Sequence, residues 1–479
     1  MANTLKSHRT TSQSLLLGIC LVLLPYEATA ENTLQATISR LVHQPAFDPA
    51  RTAVVAMRVD DGHELVAINP NLALNPASCA KIVTAAAALT LLGPDYRFTT
   101  HFFSDRRPDA AGNIGTLFIQ GDGDPFLVSE QLWRMTRRLL HEGVQRIEGD
   151  LVIDNSFFDN VPYTTKQGDE GRAFTAKTSA VAINFNSAQV LVSPGANVGE
   201  SARVSIEPAT EYIRLINRVK TTKKENIVIQ RQPSGDHETW TVSGTVPAGL
   251  KEPLSFYRSV ENPVTYAGAI AREVLQQNGI LLTGRVREGG VPSSAILLAK
   301  EPSKPLALIV RDMNKFSNNF VAEQITKHIG AAKKGTPGST AKGVAVYHDY
   351  LNSLGISKQE AHIENGSGLS EASRISARAL VRVLAASYRN FTTEADMVAS
   401  FSILGVDGTM KRWSEDGLLR GKLRAKTGSL DGVASLAGYI PTASGDMTAF
   451  AILGNGLHRG GADVHDGQLK IVSTIAESR

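Results

Sequence analysis

Three short patterns in this chain carry the residue types of a serine acyl-transfer site. They are Ser-Cys-Ala-Lys at 78–81, Ser-Asn-Asn at 317–319 and Lys-Thr-Gly at 426–428. If Ser78 begins a helix, Lys81 lies one turn further along the same face, where its amine can reach the serine hydroxyl. The first pattern therefore predicts a nucleophile beside its general base.

The third pattern has an electrostatic role in this prediction. A lysine at its ordinary pKa is protonated and cannot accept a proton, so the site must lower the pKa of Lys81. Burial of the side chain or a neighbouring cation lowers the pKa of an amine. We expect Lys426 to be that cation.

A second Ser-x-x-Lys pattern, at 339–342, competes with the first. Ser339 follows Thr-Pro-Gly and precedes a helical pattern, so it is expected to cap an exposed helix. Ser78 instead follows Asn-Pro-Ala and leads into an apolar run at 82–92, which predicts a buried helix. A buried helix holds a nucleophile rigidly and away from water, and we therefore choose Ser78. Any one pattern alone is also typical of a capping serine, a solvated lysine or a turn glycine, and only the ordered set of three favours an enzyme.

The ordered set resembles that of penicillin-binding proteins, and its spacing resembles one class among them. Ser78 and Ser317 are 239 positions apart (317 − 78), whereas Ser317 and Lys426 are only 109 apart. In this the chain resembles the class C low-molecular-mass D-alanyl-D-alanine carboxypeptidase/endopeptidases, the penicillin-binding protein 4 type. The likeness covers nearly the whole mature chain and includes Gly-Asp-Gly-Asp-Pro at 121–125 and the segments 149–154, 179–186, 366–369 and 408–410.

The resemblance implies both a fold and an activity. The fold is of the α/β (α+β) class: a β-lactamase/transpeptidase-like domain, with an antiparallel sheet flanked by helices, plus large inserted domains. The activity is that of a serine-type D-alanyl-D-alanine carboxypeptidase/endopeptidase acting on peptidoglycan stem peptides and cross-links through a Ser78 acyl-enzyme. β-Lactam antibiotics would be covalent inhibitors, because penicillin mimics that substrate.

The same resemblance implies roles for the residues of the first two motifs. Lys81 would take the proton of Ser78, and the backbone N–H groups of Ser78 and Ser429 would stabilise the tetrahedral oxyanion. Ser317 would pass a proton to the leaving amine, and Asn319 would offer its amide to the peptide groups of the substrate.

Substrate binding is expected from the third motif and from one acidic residue. The Lys-Thr-Gly segment would pair as an edge-like strand with an extended peptide, while Lys426 and Thr427 attract the terminal carboxylate and Gly428 leaves space for the approach. In the family, the residue that matches Asp154 reaches toward the active site and can meet the free amine of the third stem-peptide residue. A simple turn that Asp154 forms with the two residues after it is an equally open interpretation.

Strand and turn patterns at both ends of the chain predict the central sheet. Residues 52–58 and 63–69 alternate around Asp-Asp-Gly, which predicts a hairpin. Residues 433–440 and 447–454 are expected to form another antiparallel pair. With 422–427 these segments give a sheet of about five strands, faced by helices.

The domain boundaries follow from this sheet. The catalytic domain is expected at 31–95 and 298–479, since both chain ends contribute strands. The stretch 96–297 must then be inserted as its own domain or domains, with a strand-rich subdomain near 190–250.

The first thirty residues are predicted to be a signal peptide. Lys6 and Arg9 precede an apolar segment at 15–24 that is too short to span a bilayer, and Ala-Thr-Ala at 28–30 fits a cleavage site. Export to the periplasm or cell envelope, with cleavage near Ala30, is therefore expected. Loose membrane association stays possible at this point, and the oligomeric state stays open.

Composition excludes several other functions. A formal net charge of +4 over 479 residues is too mild to indicate nucleic-acid binding. The eleven histidines form no H-E-x-x-H or comparable pattern, so neither a metal nor a cofactor is expected. Cys79 is the one cysteine of the mature chain; a reactive thiol is conceivable, but a small buried filler is the preferred interpretation.

Two alternatives from other classes remain. A β-lactamase would need a base for the deacylating water, yet the Glu-x-x-x-Asn pattern of such enzymes is missing after Ser317. A non-catalytic peptidoglycan-binding scaffold would keep the fold without the chemistry, which the intact Ser78, Lys81, Ser317 and Lys426 disfavour. The sequence does not decide between trimming D-alanine and cutting cross-links, nor does it identify the third stem-peptide residue.

Overall fold

The structure is a computed structural model that describes residues 24–161, 171–413, 417–457 and 461–478. Most of the predicted signal peptide lies at 1–23, outside the described residues, and the predicted cleavage position at Ala30 falls within the first helix. The signal peptide therefore stays a prediction. Within the described part of the chain, the helices fall short of the length and apolarity that a membrane span requires.

The secondary structure alternates between helices and short strands. The α-helices are α1 (Leu24–Val42), α2 (Lys81–Leu92), α3 (Ser129–His141), α4 (Pro263–Gln277), α5 (Leu306–Lys315), α6 (Asn319–Lys334), α7 (Thr340–Ser353), α8 (Ala377–Arg389), α9 (Glu394–Ser400) and α10 (Gly461–Ala476). Short 3-10 helices cover Pro49–Arg51, Ala77–Ala80, Ala173–Thr175, Asn184–Asn186 and Gly408–Met410.

The strands fall into an outer set from the chain ends and an inner set between them. The strands before and within the insertion are β1 (Thr52–Arg58), β2 (Glu64–Ile68), β3 (Ala73–Leu74), β4 (Thr99–Ser104), β5 (Asn113–Ile114), β6 (Leu117–Gly121), β7 (Arg146–Ile147), β8 (Leu151–Asp154), β9 (Ser187–Ser193), β10 (Arg203–Glu207), β11 (Ile213–Thr222), β12 (Asn226–Ser234), β13 (His237–Pro247), β14 (Leu254–Ser259), β15 (Leu281–Leu282), β16 (Val286–Glu288) and β17 (Ile296–Pro302). Those that follow are β18 (Ala361–His362), β19 (Arg374–Ser376), β20 (Ser402–Ile403), β21 (Arg424–Leu430), β22 (Val433–Pro441) and β23 (Met447–Asn455).

The central sheet joins the two chain ends, as predicted. Its strand order is β2-β1-β23-β22-β21-β20, and every neighbouring pair is antiparallel. Gly62, with φ of +80°, makes the tight turn of the predicted β1–β2 hairpin. The sixth strand, β20, is two residues long and was not predicted, because so short a segment has no recognisable alternation.

Helices cover both faces of this sheet, which explains why its strands are apolar almost throughout. In β1, Val55 packs into the cluster that contains α2 and α8, and Val54 packs into the cluster that contains α1 and α10. Successive side chains of a strand point to opposite faces, so a strand buried on both sides has few polar positions. The predicted antiparallel sheet flanked by helices is confirmed.

The helix α2 lies at the centre of the hydrophobic cluster on one face of the central sheet. Its residues from Lys81 to Leu89 are all buried, and it packs against α5, α6 and α8. Each fully buried large aliphatic side chain stabilises such a core by roughly 1.5–3 kcal/mol. The prediction of a buried helix behind Ser78 is confirmed.

The inserted region has its own sheets and its own hydrophobic core. A five-stranded sheet has the order β16-β8-β6-β4-β17, and three three-stranded sheets have the orders β10-β9-β14, β11-β13-β12 and β15-β7-β5. Because β17 pairs with β4, the boundary predicted at 298 falls inside β17, and the strand stays with the insertion up to Pro302. The apolar stretch of β17 does not show from sequence alone which sheet it joins.

The inserted region is fixed through α6 to the part of the chain that forms the central sheet. Gln324 donates to the carbonyls of Gly123 and Ser179, and His328 hydrogen-bonds to the Asp122 carbonyl and the Tyr96 hydroxyl. Since α6 also begins at Asn319, the loop at 121–125 and the second motif are attached to one rigid element.

Candidate active site

Ser78 is presented by a tight turn at the entrance to α2. The turn is the 3-10 helix Ala77–Ala80, and the Asn75 side chain accepts a hydrogen bond from the Ala77 N–H at 2.8 Å. Gly368 packs on this turn so closely that a Cβ there would lie 1.9 Å from the Ala77 carbonyl oxygen. Ser78 is partly exposed while its neighbours are buried, so the hydroxyl is rigidly held yet accessible.

The amine of Lys81 is surrounded by three oxygen atoms. Its Nζ lies 3.1 Å from Ser78 Oγ and donates to Asn319 Oδ1 and to the Ser367 carbonyl, both at 2.6 Å. A neutral amine has two N–H groups and one lone pair. Because Asn319 and Ser367 provide only acceptor oxygens, they take the two N–H groups, and the lone pair points at the Ser78 hydroxyl.

The environment of Lys81 favours that neutral form. Burial lowers its pKa well below the ordinary value, and the nearby charge of Lys426 lowers it further. The predicted electrostatic link between the first and third motifs is therefore present, although burial is the larger cause.

Lys426 joins the third motif to the second. Its Nζ donates to Ser317 Oγ at 2.9 Å and to the Thr427 carbonyl at 2.7 Å. Burial lowers the pKa of Lys426 to about 8. Ser317 has φ of +53°, a left-handed conformation that costs a non-glycine residue roughly 1–2 kcal/mol. The next residue, Asn318, caps α6 by accepting from the Val321 N–H at 3.1 Å.

The third motif lies on a strand with an open edge. β21 pairs with β22 along its whole length, but β20 covers only Arg424 and Ala425 on the other side. Residues 426–430 therefore present an edge to which an extended peptide can add. Ser429 is exposed on this edge, next to the partly exposed Thr427.

Gly428 is required by packing within the protein. A Cβ at this position would lie 2.2 Å from Ser435 Oγ, 2.7 Å from the Pro76 carbonyl oxygen and 3.0 Å from the Ser78 amide nitrogen. The space that we expected to serve the substrate is thus occupied by the turn that carries Ser78. The glycine brings strand β21 against the nucleophile.

The loop at 407–409 contacts the third motif directly. Thr409 Oγ1 lies 2.8 Å from Thr427 Oγ1. The loop is anchored by an ion pair between Lys315 and Asp407 at 2.6 Å. Thr409 was not predicted as a site residue, since Gly-Thr-Met at 408–410 gives no chemical signal by itself.

Asp154 lies apart from this cluster. It is the last residue of β8 and is 2% exposed, and its carboxylate accepts from Gln120 Nε2, Ser156 N and Val291 N at 2.9, 2.9 and 3.1 Å. Burial opposes ionisation, but the hydrogen bonds from Ser156, Gln120 and Val291 lower the pKa of Asp154 overall. These three donors all belong to the insertion, and Asp154 lines a different cavity from Ser317 and Asn319.

Two other predictions about individual residues are confirmed. Ser339 caps α7 by accepting from the Lys342 N–H at 3.1 Å, while the Lys342 amine donates to the Gly335 and Pro337 carbonyls. Cys79 is fully buried, its thiol donates to the Lys426 carbonyl at 3.2 Å, and burial raises its pKa. It is a filler with a weak hydrogen bond.

Glu323 was missed by the sequence analysis. It lies four residues after Asn319 on α6, is 1% exposed, and accepts from the Ser367 N–H at 2.8 Å. An acidic residue on the same helix face as Asn319 is a usable signal. It does not show which loop the carboxylate meets.

A cavity borders the second motif and the insertion, and its lining includes neither Ser78 nor residues 426–429. It has a volume of about 730 Å³, opens at Ser317 and Asn319, and extends along the insertion past Phe174 and Tyr257. Aromatic and backbone groups in such a cleft can hold the remainder of a peptide chain.

This combination of fold and site defines a serine hydrolase built on the penicillin-binding, β-lactamase-like architecture. The chain belongs to the D-Ala-D-Ala carboxypeptidase 3 (S13) family, whose model matches residues 34–478. The protein is therefore a peptidase of the D-Ala-D-Ala carboxypeptidase type, as the motif spacing indicated.

Curated relatives agree with this membership. The chain is 33% identical over 446 residues to a D-alanyl-D-alanine carboxypeptidase of Actinomadura sp., covering 90% of this chain and 82% of the relative. It is 28% identical over 421 residues to the D-alanyl-D-alanine carboxypeptidase DacB of Haemophilus influenzae, covering 85% of each.

Solved structures share the fold over most of the chain. The crystal structure of penicillin binding protein 4 (dacB) from Haemophilus influenzae matches with a TM-score of 0.78 at 25% identity, over 92% of this chain and 99% of that one. A predatory peptidoglycan endopeptidase from Bdellovibrio bacteriovorus shares the fold with a TM-score of 0.52 at 17% identity, over 89% and 92%.

Proposed function

We propose that the protein cleaves D-alanyl-D-alanine ends and cross-links of peptidoglycan stem peptides through an acyl-enzyme on Ser78. The observation that carries this proposal is the geometry of Lys81. Two acceptor oxygens take the N–H groups of its neutral amine, and the lone pair is left facing Ser78 Oγ, 3.1 Å from Nζ. A positioned base of this kind typically accelerates proton transfer by about 10²–10⁴-fold.

Acylation would begin with attack of Ser78 Oγ on the carbonyl carbon between the two D-alanines. Lys81 takes the hydroxyl proton as the new C–O bond forms, and the carbonyl becomes a tetrahedral oxyanion. The N–H groups of Ser78 and Ser429 are the proposed donors to that oxyanion, and one such donor is typically worth about 10²–10³-fold in rate. The close packing of Gly428 against Ser78 supports this pairing, because it brings β21 beside the turn.

Collapse of the intermediate requires a proton on the leaving amine. Ser317 is the proposed donor, and it can be reprotonated by Lys426, which already donates to it at 2.9 Å. The C–N bond then breaks, free D-alanine or a cross-linked amine departs, and the acyl group stays on Ser78. Lys81 then releases to solvent the proton that it took from Ser78, and Lys426 recovers one from solvent. Neutral Lys81 can now deprotonate the attacking water, and it passes that proton to Ser78 Oγ as the acyl bond breaks and the shortened peptide departs.

Substrate recognition would use the open edge of β21. The peptide adds to residues 426–430 by main-chain hydrogen bonds, with the amide of Asn319 facing its peptide groups. The terminal carboxylate would be held by the charge of Lys426 and by Thr427, whose hydroxyl is oriented by Thr409.

Binding of the stem peptide's free amine by Asp154 stays a prediction. The hydrogen bond from Ser156 supports the turn-forming interpretation, and the carboxylate is already occupied by three donors. A role toward the free amine of the stem peptide would need the substrate to compete with those donors.

β-Lactams are the proposed covalent inhibitors. A structure of penicillin binding protein 4 from Haemophilus influenzae, with a TM-score of 0.74 and 26% identity, is complexed with a β-lactam. A β-lactam carbonyl would acylate Ser78 by the same steps, but its leaving nitrogen stays attached, so hydrolysis is expected to be slow. We also propose that the protein acts after export, in the periplasm or cell envelope.

Digestion of purified cross-linked and pentapeptide muropeptides tests the proposal. We expect D-alanine and separated stem peptides as products, and none from the Ser78→Ala variant. Rapid turnover of penicillin with no peptide cleavage would instead indicate a β-lactamase. Binding of muropeptides without covalent chemistry would indicate a scaffold.

A further inference from the structure

Glu323 is a buried acid next to the base, and the proposed reaction does not use it. Its side chain is 1% exposed, and Oε1 accepts from the Ser367 N–H at 2.8 Å. The other oxygen, Oε2, lacks a hydrogen-bond partner among the described residues. An acid placed this way has a cost in stability, because burial disfavours its charge. Burial accordingly raises the pKa of Glu323.

The residue that contacts Glu323, Ser367, also contacts the proposed base Lys81. The Ser367 N–H donates to Glu323 Oε1, and the Ser367 carbonyl accepts from Lys81 Nζ at 2.6 Å. The residues on either side are Gly366 and Gly368, the latter at φ of +74°. Glycines restrain a loop weakly, so the direction of this carbonyl depends on the hydrogen bonds of the N–H groups on either side of it. The Ser367 N–H donates to Glu323, and the Gly368 N–H donates to Asn365 Oδ1 at 3.0 Å.

The charges around Glu323 are few. Lys81 faces it from α2, and Tyr347 faces it from α7. Behind Lys81 stand Lys426 on β21 and Cys79 on the turn. Lys426 favours the neutral amine of Lys81, whereas the negative charge of Glu323 favours the protonated one. The two groups therefore act on the base in opposite directions.

We propose that Glu323 is a positioning residue for Lys81. It holds the Ser367 peptide so that its carbonyl keeps the lone pair of Lys81 directed at Ser78, and its charge offsets that of Lys426 in setting the pH at which Lys81 becomes a base. This inference rests on the proposed function, and it adds a residue outside the three motifs to that site.

Two variants separate the hydrogen bond from the charge. Glu323→Gln keeps an acceptor for the Ser367 N–H and removes the charge, whereas Glu323→Met keeps the bulk and removes both. At the plateau of the pH profile, acylation by fluorescent penicillin should stay near the native rate in the Gln variant. In the Met variant it should fall about tenfold to a hundredfold, because the amine loses its orientation. A cooperative thermal unfolding transition is the control that each variant is folded.

The pH profile gives a readout that a purely structural role would not change. Loss of the negative charge in Glu323→Gln lowers the pKa of Lys81, so the acidic limb of acylation moves to lower pH. NMR titration of Lys81 in protein carrying ¹³C-labelled lysine should show the same shift without relying on activity. If native protein took no penicillin label, the proposed function would fail while the titration still tested Glu323. Equal plateau rates in the two variants, or an unmoved Lys81 titration in Glu323→Gln, would overturn the proposal.

Discussion

The Lys81 amine donates to Asn319 Oδ1 across 2.6 Å and so joins two motifs that lie far apart in sequence. Together with the Ser367 carbonyl, this contact leaves the amine one free direction, which is toward Ser78. The second motif thus acts on the base itself as well as on the substrate. Asn319 was predicted only to bind the peptide groups of the substrate.

The Asn319→Asp variant tests this contact. An aspartate keeps an acceptor oxygen beside Lys81 but adds a negative charge, which raises the pKa of the amine. We expect the acidic limb of the acylation profile to move to higher pH. Asn318→Asp is the matched control, because it keeps the cap of α6 and leaves the surroundings of Lys81 unchanged. An unmoved limb in Asn319→Asp would show that the contact does not influence the base.

The Lys426→Ala variant tests the third motif. Removal of this cation raises the pKa of Lys81 and takes away a charge from the carboxylate site. The acidic limb of acylation should therefore move to higher pH, and the KM for a stem peptide should rise. Both are read from steady-state kinetics over pH. The exposed Lys422→Ala, just before the same strand, should change neither.

Native protein offers a second check on Lys426. Its pKa is lowered to about 8, so the amine is charged below that pH and loses its charge above it. The KM for peptides with a terminal carboxylate should rise as the pH passes about 8, and this rise should be missing in Lys426→Ala. The same pH dependence in both proteins would assign the titration to another group.

Ser339→Ala concerns stability alone. The Ser339 hydroxyl caps α7, and loss of an N-cap costs about 0.5–2 kcal/mol. We expect a lower free energy of unfolding in urea, with penicillin labelling and D-alanine release per folded molecule unchanged. A loss of labelling would mean that the choice between the two Ser-x-x-Lys patterns was wrong.

Asp154→Ala distinguishes a supporting role from a binding one. The change removes the buried carboxylate that accepts from the partly buried Gln120 and Val291 and from the exposed Ser156, and loss of these charge-assisted hydrogen bonds should cost about 1–3 kcal/mol of stability. If Asp154 also meets a free amine, turnover of stem peptides bearing that amine should fall more than acylation by benzylpenicillin, which has none. Equal losses for both ligands would assign Asp154 to the fold alone.

The motifs and their local elements were predictable because each depends on residues close in sequence. The apolar run behind Ser78 can only be a buried helix, and the turn residues before it end β3. The cap at Ser339 and the β1–β2 hairpin follow from equally local chemistry. The order and spacing of the motifs were enough to indicate the family.

What the sequence did not show depends on contacts between distant segments. Three contacts are examples, and each joins residues far apart in sequence. They are the hydrogen bond from Ser367 to Glu323, the close packing of Gly428 on β21 against Ser78, and the pairing of β17 with β4. Patterns of hydrophobicity show that a position is buried but not what it is buried against. The sixth strand, β20, was missed because two residues carry no periodicity.

The central claim is that Ser78 forms the acyl bond. Mass spectrometry of the intact protein after exposure to benzylpenicillin, followed by peptide mapping, measures this directly. We predict one added penicilloyl group per molecule, carried by the peptide that contains Ser78, and none in a folded Ser78→Ala variant. Labelling of Ser78→Ala, or an adduct mapped to Ser317 or Ser339, would contradict the account.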